Sequence, residues 1–93
     1  MTEIDPNKKP LQNDHFNMDV VENEIILYFP DGNQFLYLNQ TAAMVWEQCN
    51  GSVSIDELVT GLEEAFPDAK SQIRDDVMTT INTFLQNSCI RLV

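Results

Sequence analysis

The sequence is poor in positive charge, and this shortage excludes two classes of partner. Five lysines and arginines stand against fifteen aspartates and glutamates, which gives a formal net charge of −10. A nucleic-acid interface needs a basic face that neutralises phosphates, and an anionic membrane repels an acidic chain. We therefore expect no nucleic acid and no membrane as partners. The acidity itself favours solubility, with steering towards a basic partner as the alternative.

The residues of catalytic and metal sites are also scarce. The one histidine, His15, lies in or near a polar N-terminal stretch, and no nucleophile stands close to it in sequence. There is no glycine-rich phosphate loop and no cluster of metal ligands. Cys49 and Cys89 lie among apolar residues without CxxC spacing, which is typical of buried thiols. We expect no enzymatic activity, no catalytic residue, no metal and no cofactor.

Long apolar runs are absent as well. No run approaches the roughly 20 residues that a membrane helix needs, and the first residues lack the apolar segment of a signal peptide. The prediction is a cytoplasmic protein. Residues 1–14 are polar, contain two prolines and show no periodicity, which predicts a flexible arm. Residues 15–93 are then a single domain.

Three strands are predicted after the arm. Apolar and polar residues alternate from Phe16 to Val20, and a β-branched and aromatic run covers Ile25 to Phe29. The turn sequence PDGN separates that run from QFLYL, residues 34–38. Such short connections predict an antiparallel meander with the second strand in the middle.

Three helices follow the strands. Asn39 is a good N-cap for the first helix, and Ser54 with Glu57 forms a capping box for the second. Pro67 ends the second helix, and the third begins shortly afterwards and runs to about Asn87. The short apolar tail is expected to return to the core. The fold class is α+β, a three-stranded meander followed by a three-helix bundle, similar to a winged helix-turn-helix.

The third predicted strand lies at an edge of the meander. Phe35 and Tyr37 point to one face, and Leu36 and Leu38 point to the other. Exposed edges are normally blunted by charge or proline, and the stretch from Gln34 to Leu38 has neither. Such an edge can accept a peptide as an additional strand. The alternative is that the protein's own helices and arm cover both faces.

The apolar face of the third predicted helix is wider than one neighbouring helix requires. Ile81 belongs to its centre, Met78 and Leu85 extend it on one side, and Arg74 lies beside them. This flank is predicted to form the wall of a peptide groove along the strand edge. In the alternative interpretation, Met78 and Leu85 are ordinary core residues.

Twelve positions between the third strand and the second helix form one motif: Leu38, Asn39, Thr41, Ala42, Ala43, Val45, Trp46, Gly51, Ser54, Ile55, Glu57 and Leu58. With this motif the chain resembles the PqqD family. The resemblance covers about residues 16–93, and one departure is Ser88-Cys89, where the family usually has Gly-Leu after the third helix. Asn87 is expected to take the left-handed position there instead.

The resemblance implies a non-catalytic recognition element for ribosomally made, modified peptides. Such an element binds the leader segment of a precursor peptide as a strand and presents it to a modifying enzyme, such as a radical S-adenosylmethionine enzyme, a leader peptidase or a cyclase. Arg74 would then pair with an acidic leader side chain. The alternatives are a small acidic structural or regulatory subunit of an enzyme and a degenerate winged helix in transcription. The predicted peptide-binding residues are Gln34, Phe35, Leu36, Tyr37, Leu38, Arg74, Met78, Ile81 and Leu85.

Overall fold

The computed structural model describes residues 4–93. Its elements follow the predicted order of strands and then helices, with an additional strand at the start and another at the end. They are β1 (Pro10–Gln12), β2 (Asn17–Val21), β3 (Glu24–Tyr28), β4 (Phe35–Leu38), α1 (Gln40–Glu47), α2 (Ile55–Ala65), a 3₁₀ turn (Pro67–Ala69), α3 (Lys70–Gln86) and β5 (Ile90–Leu92).

The main sheet is the predicted meander, ordered β2-β3-β4 and antiparallel throughout. Its register pairs Ile25 with Leu38 and Leu27 with Leu36. Because side chains alternate along a strand, these four residues share one face, and that face meets the helices. The predicted third strand is therefore β4, which lies at an edge of this sheet as expected.

The core lies between the sheet and the three helices. α1 packs against β3 and β4, and α3 packs against both α1 and α2. Trp46 on α1 meets Phe84 on α3 edge to face, with ring centroids 5.5 Å apart. Both aromatic side chains are buried. Edge-to-face aromatic pairs add about 0.5–1.5 kcal/mol beyond their buried area, so this contact locks α1 to α3.

The predicted starts of α1 and α2 are confirmed. The side chain of Asn39 accepts a hydrogen bond from the Ala42 N–H at 2.9 Å. At α2, Ser54 Oγ accepts from the Glu57 N–H at 3.1 Å, and the Glu57 carboxylate accepts from the Ser54 N–H at 2.9 Å. The hydrogen bonds from the Ser54 backbone and side chain lower the pKa of Glu57. Both caps fix where the chain changes direction after β4 and after α1.

The end of α3 differs from the prediction. Asn87 has an ordinary φ of −98°, and it is Ser88 that takes the left-handed conformation, with φ of 58°. The Cys89 N–H donates to the Phe84 carbonyl at 2.8 Å, and the Ser88 N–H donates to the Leu85 carbonyl at 3.1 Å. These two bonds form a Schellman motif whose left-handed position is usually glycine. The expectation for Asn87 was therefore wrong by one residue.

The N-terminal region contains a strand that the sequence did not predict. β1 pairs antiparallel with β5, Pro10 opposite Leu92, and forms a second small sheet. The predicted extended tail is thus confirmed, and its partner lies within the predicted arm. A strand of three residues leaves no periodicity to detect, which explains the omission. Residues 1–3 of that arm lie outside the described residues, and the arm boundary at residue 14 stays a prediction.

Both cysteines are free and fully buried, as the sequence predicts. Burial raises the pKa of Cys49 to about 12 and that of Cys89 to about 11. A thiol is nucleophilic only as the thiolate, so these two groups are unreactive at neutral pH.

Metal-binding clusters and membrane-spanning helices are both missing from residues 4–93. No group of three or more histidine, cysteine, aspartate or glutamate side chains is arranged to hold a metal ion within that range. None of the helices there is both long enough and apolar enough to cross a membrane.

Candidate functional site

The backbone of β4 has one side that no described strand pairs with. The Phe29 N–H donates to the Gln34 carbonyl at 3.0 Å, which identifies this pair as hydrogen-bonded. Because such pairs alternate along an antiparallel ladder, the backbone groups of Leu36 point towards β3. Those of Phe35 and Tyr37 point away from the sheet. The open edge therefore offers the N–H and C=O groups of these two residues to an incoming strand.

The side chains of β4 divide between a covered and an open face. Leu38 is 2% exposed and Leu36 packs partly buried against the core. Phe35 is 67% exposed and Tyr37 is 54% exposed, and the preceding Gln34 is also exposed. The protein thus covers the leucine face with its own helices and leaves the aromatic face open.

Two tyrosine hydroxyls on the open face are held by carboxylates of neighbouring strands. Tyr37 on β4 donates to Glu24 on β3, and Tyr28 on β3 donates to Asp19 on β2 at 3.0 Å. The hydrogen bond to the carboxylate raises the pKa of each tyrosine. Each strand of the meander is consequently tied to its neighbour by one side-chain hydrogen bond as well as by the backbone ladder.

The residues of the predicted helical wall lie near α2 and β5. Arg74 forms an exposed salt bridge to Asp56 on α2 at 2.9 Å. Leu85 lines a cavity next to β5 together with Leu92. At 100° per residue, Met78 lies on the same flank of α3 as these two residues. This flank faces α2 and β5, and its role in peptide binding stays a prediction.

Ile81 has no exposed surface and belongs to the core between the helices. Its side chain supports α3 and cannot contact a guest without rearrangement. Of the nine predicted site residues, the five from Gln34 to Leu38 form one continuous strand segment. On α3, Ile81 belongs to the same buried core as Leu38, and Met78 and Leu85 pack against that core. Helical periodicity identified the apolar face correctly, but it does not say which neighbour each side of the face meets.

The flank of α3 that lies beside the end of β4 is polar. A groove of about 270 Å³ runs between the start of α1 and α3. It is lined by Asn39, Thr41, Asp76, Thr79 and Thr80. These polar residues were not predicted, because an apolar wall was expected on α3. The signal was present in the spacing, since residues 76, 79 and 80 share a flank opposite Met78.

An apolar cavity of about 220 Å³ adjoins this polar groove. Thr41 and Asp76 line both, so the two cavities are neighbours, and the polar one starts one residue beyond β4. The apolar part lies between α1, the end of α2 and the start of α3. Its walls are Met44, Leu62, Phe66, Ala69 and Ile73.

The described part of the N-terminal arm leaves the β4 edge uncovered. The Lys8 carbonyl accepts from the Ile55 N–H at 3.1 Å, and the Pro10 carbonyl accepts from the Gly51 N–H at 2.9 Å. The arm therefore follows the start of α2, the preceding loop and β5. Residues 4–14 therefore do not cover the strand edge, which was the alternative for this part of the arm.

Fold and site together define a winged helix-turn-helix-like α+β domain with an open sheet edge that leads into a groove along α3. The family model described as coenzyme PQQ synthesis protein D (PqqD) matches residues 24–90. The chain belongs to the PqqD family, as the motif around α1 and α2 indicated.

One relative agrees with this membership, and one solved structure agrees with the fold. A protein of Azotobacter vinelandii (strain DJ / ATCC BAA-1303) named "PqqA binding protein" is 31% identical over 77 residues, covering 83% of this chain and 80% of that protein. A solved structure titled "TbiB1 in Complex with the TbiA(beta) Leader Peptide" superposes with a TM-score of 0.73 at 10% identity, covering 87% of this chain and 94% of that one. The second similarity confirms the predicted fold.

Proposed function

We propose that this protein recognises the leader segment of a ribosomally synthesised precursor peptide. The leader adds to β4 as a further antiparallel or parallel strand and extends the meander from three strands to four. The protein then presents the bound precursor to a modifying enzyme. In this proposal it has no catalytic role of its own and requires no cofactor.

The observation that carries the proposal is the open edge of β4. The backbone groups of Phe35 and Tyr37 point away from the sheet, and a guest strand can satisfy them. The groove beside Asn39 and Asp76 continues from the end of that strand. Main-chain hydrogen bonds supply affinity at such an edge, and side-chain contacts beyond it supply specificity.

The relatives support the same interpretation. The relative from Azotobacter vinelandii is named for binding PqqA, and the solved structure is of a complex with a leader peptide. By the family resemblance, the receiving enzyme is a radical S-adenosylmethionine enzyme, a leader peptidase or a cyclase. A chain with net charge −10 is suited to meet a basic surface on that enzyme.

The direct test is a titration of isotopically labelled protein with a synthetic peptide. The peptide is the leader region of a short precursor chosen by reading the open reading frames that neighbour this chain's gene. We expect amide shifts at Phe35 and Tyr37, together with new protection of their N–H groups from hydrogen exchange. Shifts confined to other surfaces would contradict the proposal. Binding of an enzyme without any peptide requirement would favour an acidic structural or regulatory subunit instead.

Proline substitution at the two sheet edges separates strand addition from other modes of binding. Tyr37→Pro removes an outward N–H from β4, and we expect the affinity for the leader peptide to fall about tenfold or more, since one hydrogen bond contributes about 1 kcal/mol and the ring also obstructs the guest. Val20→Pro makes the matched change at the β2 edge and is expected to leave the affinity unchanged. Circular dichroism checks that both variants fold, and calorimetry measures the affinity. Equal affinities for the two variants would exclude β4 as the binding edge.

A further inference from the structure

We propose that the apolar cavity beside Phe66 is a second subsite for the same peptide, reached beyond the strand-pairing segment. It takes one bulky apolar side chain of the peptide. Asp76 at its rim pairs with a basic side chain a few residues closer to the strand. This inference rests on the proposed function, because it assigns a recognition signature to the peptide that β4 binds.

The two cavities lie next to the end of β4. β4 ends at Leu38, and the polar groove begins at the next residue, Asn39. The polar groove and the apolar cavity share Thr41 and Asp76 as lining residues. A peptide that leaves the edge of β4 at this end therefore reaches the polar groove first and the apolar cavity next to it, past Thr41 and Asp76.

The size and lining of the cavity fit a single side chain. Its volume is about 220 Å³, and a protein cavity of about 150 Å³ is enough to hold a benzene molecule. Leu62 and Met44 are only partly buried, and Phe66 is 42% exposed at the end of α2. These side chains lose their remaining contact with water when an apolar group enters, which is the driving force for binding.

The negative charge of Asp76 predicts which peptide side chain lies next to the apolar one. Asp76 lies at the junction of the two cavities, and no lysine or arginine lines either of them. The one arginine on α3, Arg74, is paired with Asp56 on α2 and lines neither cavity. An acidic peptide side chain at the junction would meet an uncompensated carboxylate, whereas a lysine or arginine there gains an ion pair.

The test uses a display library of random linear peptides selected on the full chain, so the sequence of the natural leader is not needed. Selected peptides are expected to contain a bulky apolar residue and a nearby lysine or arginine beyond the segment that pairs with β4. Binding should shift the amides of Phe35 and Tyr37, and also those of Phe66 and Ile73. Replacing the apolar peptide residue by alanine should weaken binding about tenfold, as expected for one buried apolar side chain.

Two matched pairs of variants localise the effect. Ala69→Phe fills the cavity and should weaken binding about tenfold, whereas Ala65→Phe alters an exposed alanine of α2 outside the cavity and should not. Asp76→Asn should remove the preference for lysine and arginine, whereas Asp75→Asn, one residue away, should preserve it.

The outcomes distinguish this inference from the proposed function. The second subsite is overturned if the selected peptides bind the Ala69→Phe variant as tightly as the unmodified protein and show no apolar or basic preference. Strand addition still stands in that case if these peptides shift the β4 amides. Peptides that leave the β4 amides unshifted overturn the proposed function itself. Alanine replacement within the peptide is measured on unmodified protein, so the inference stays testable if Ala69→Phe fails to fold.

Discussion

The two edges of the meander are alike in their backbone and different in what lies beside them. Both β2 and β4 have one side that no described strand pairs with. On β2 the residues on the helix-facing side, Met18 and Val20, are 54% and 59% exposed. On β4 the residues of that side are half-buried Leu36 and buried Leu38, covered by α1.

This difference explains why an open edge alone does not make a binding site. A strand added to β2 would find unpaired backbone groups, but the helices give it little surface to pack on. A strand added to β4 lies next to a fixed, well-packed neighbour, and its continuation meets the groove lined by Asn39 and Asp76. Backbone groups supply affinity without discrimination, so selectivity depends on the neighbouring helices.

The largest expected effect tests how firmly each edge is anchored. Leu38→Ala deletes a buried side chain beneath β4 and is expected to lower the free energy of unfolding by about 2–5 kcal/mol. Val20→Ala, at the corresponding face of β2, should change it by less than about 0.5 kcal/mol because the side chain is largely exposed. Urea unfolding followed by the fluorescence of the single tryptophan measures both. Similar losses for the two variants would show that the edges are anchored equally.

A smaller effect is expected in the turns that join the strands. Gly32, between β3 and β4, has φ of 76°, and Glu22, between β2 and β3, has φ of 59°. Gly32→Ala should lower the free energy of unfolding by about 1 kcal/mol, because only glycine adopts this conformation without strain. Glu22→Gly should raise it by up to about 1 kcal/mol, because it relieves about 1–2 kcal/mol of left-handed strain and adds about 0.4–1 kcal/mol of chain entropy to the unfolded state. Thermal unfolding detects both changes, and shifts of the same sign would contradict the assignment of strain to Glu22.

The smallest effect concerns the two tyrosines and their dependence on pH. The folded-state pKa of Tyr37 and that of Tyr28 lie above the ordinary value of 10.0, since each hydroxyl donates to a carboxylate. The contribution of these bonds is complete below the unfolded pKa and is lost as the pH rises through the folded pKa. Tyrosinate absorbance should therefore appear at higher pH in native protein than in urea. Tyr37→Phe shows how much of the shift comes from the bond between β4 and β3, and Tyr28→Phe shows how much comes from the bond between β3 and β2. Titration curves that coincide for native protein and protein in urea would contradict the raised pKa values.

Local features of the sequence predicted the structure well. The cap at Asn39, the capping box of Ser54 and Glu57, and the turn before β4 each depend on residues within four positions of one another. All the groups that form each of these features lie within a few residues, so the local sequence alone specifies them. The motif of the PqqD family lies in the same region, which is why the fold could be recognised from residues 38–58.

Features that depend on distant partners were not predicted. The pairing of β1 with β5 brings together segments from opposite ends of the chain. The placement of Arg74, Met78 and Leu85 depends on the position of α2 and β5, which the periodicity of α3 does not contain. The polar groove at Asp76 was missed for the same reason. Periodicity gave the orientation of each element, and only the packed structure gives its neighbours.

The β1–β5 ladder also has a consequence for how the protein opens and closes. Pro10 and Leu92 are nearly the whole chain apart, so closing this contact costs more loop entropy than any hairpin of the meander. Contacts of such long range usually form late in folding and separate early in local unfolding. We expect the amide protons of β1 and β5 to exchange together as one cooperative unit, faster than those of β3. The two ends of the domain would then detach in a single event, while β4 and its groove stay intact.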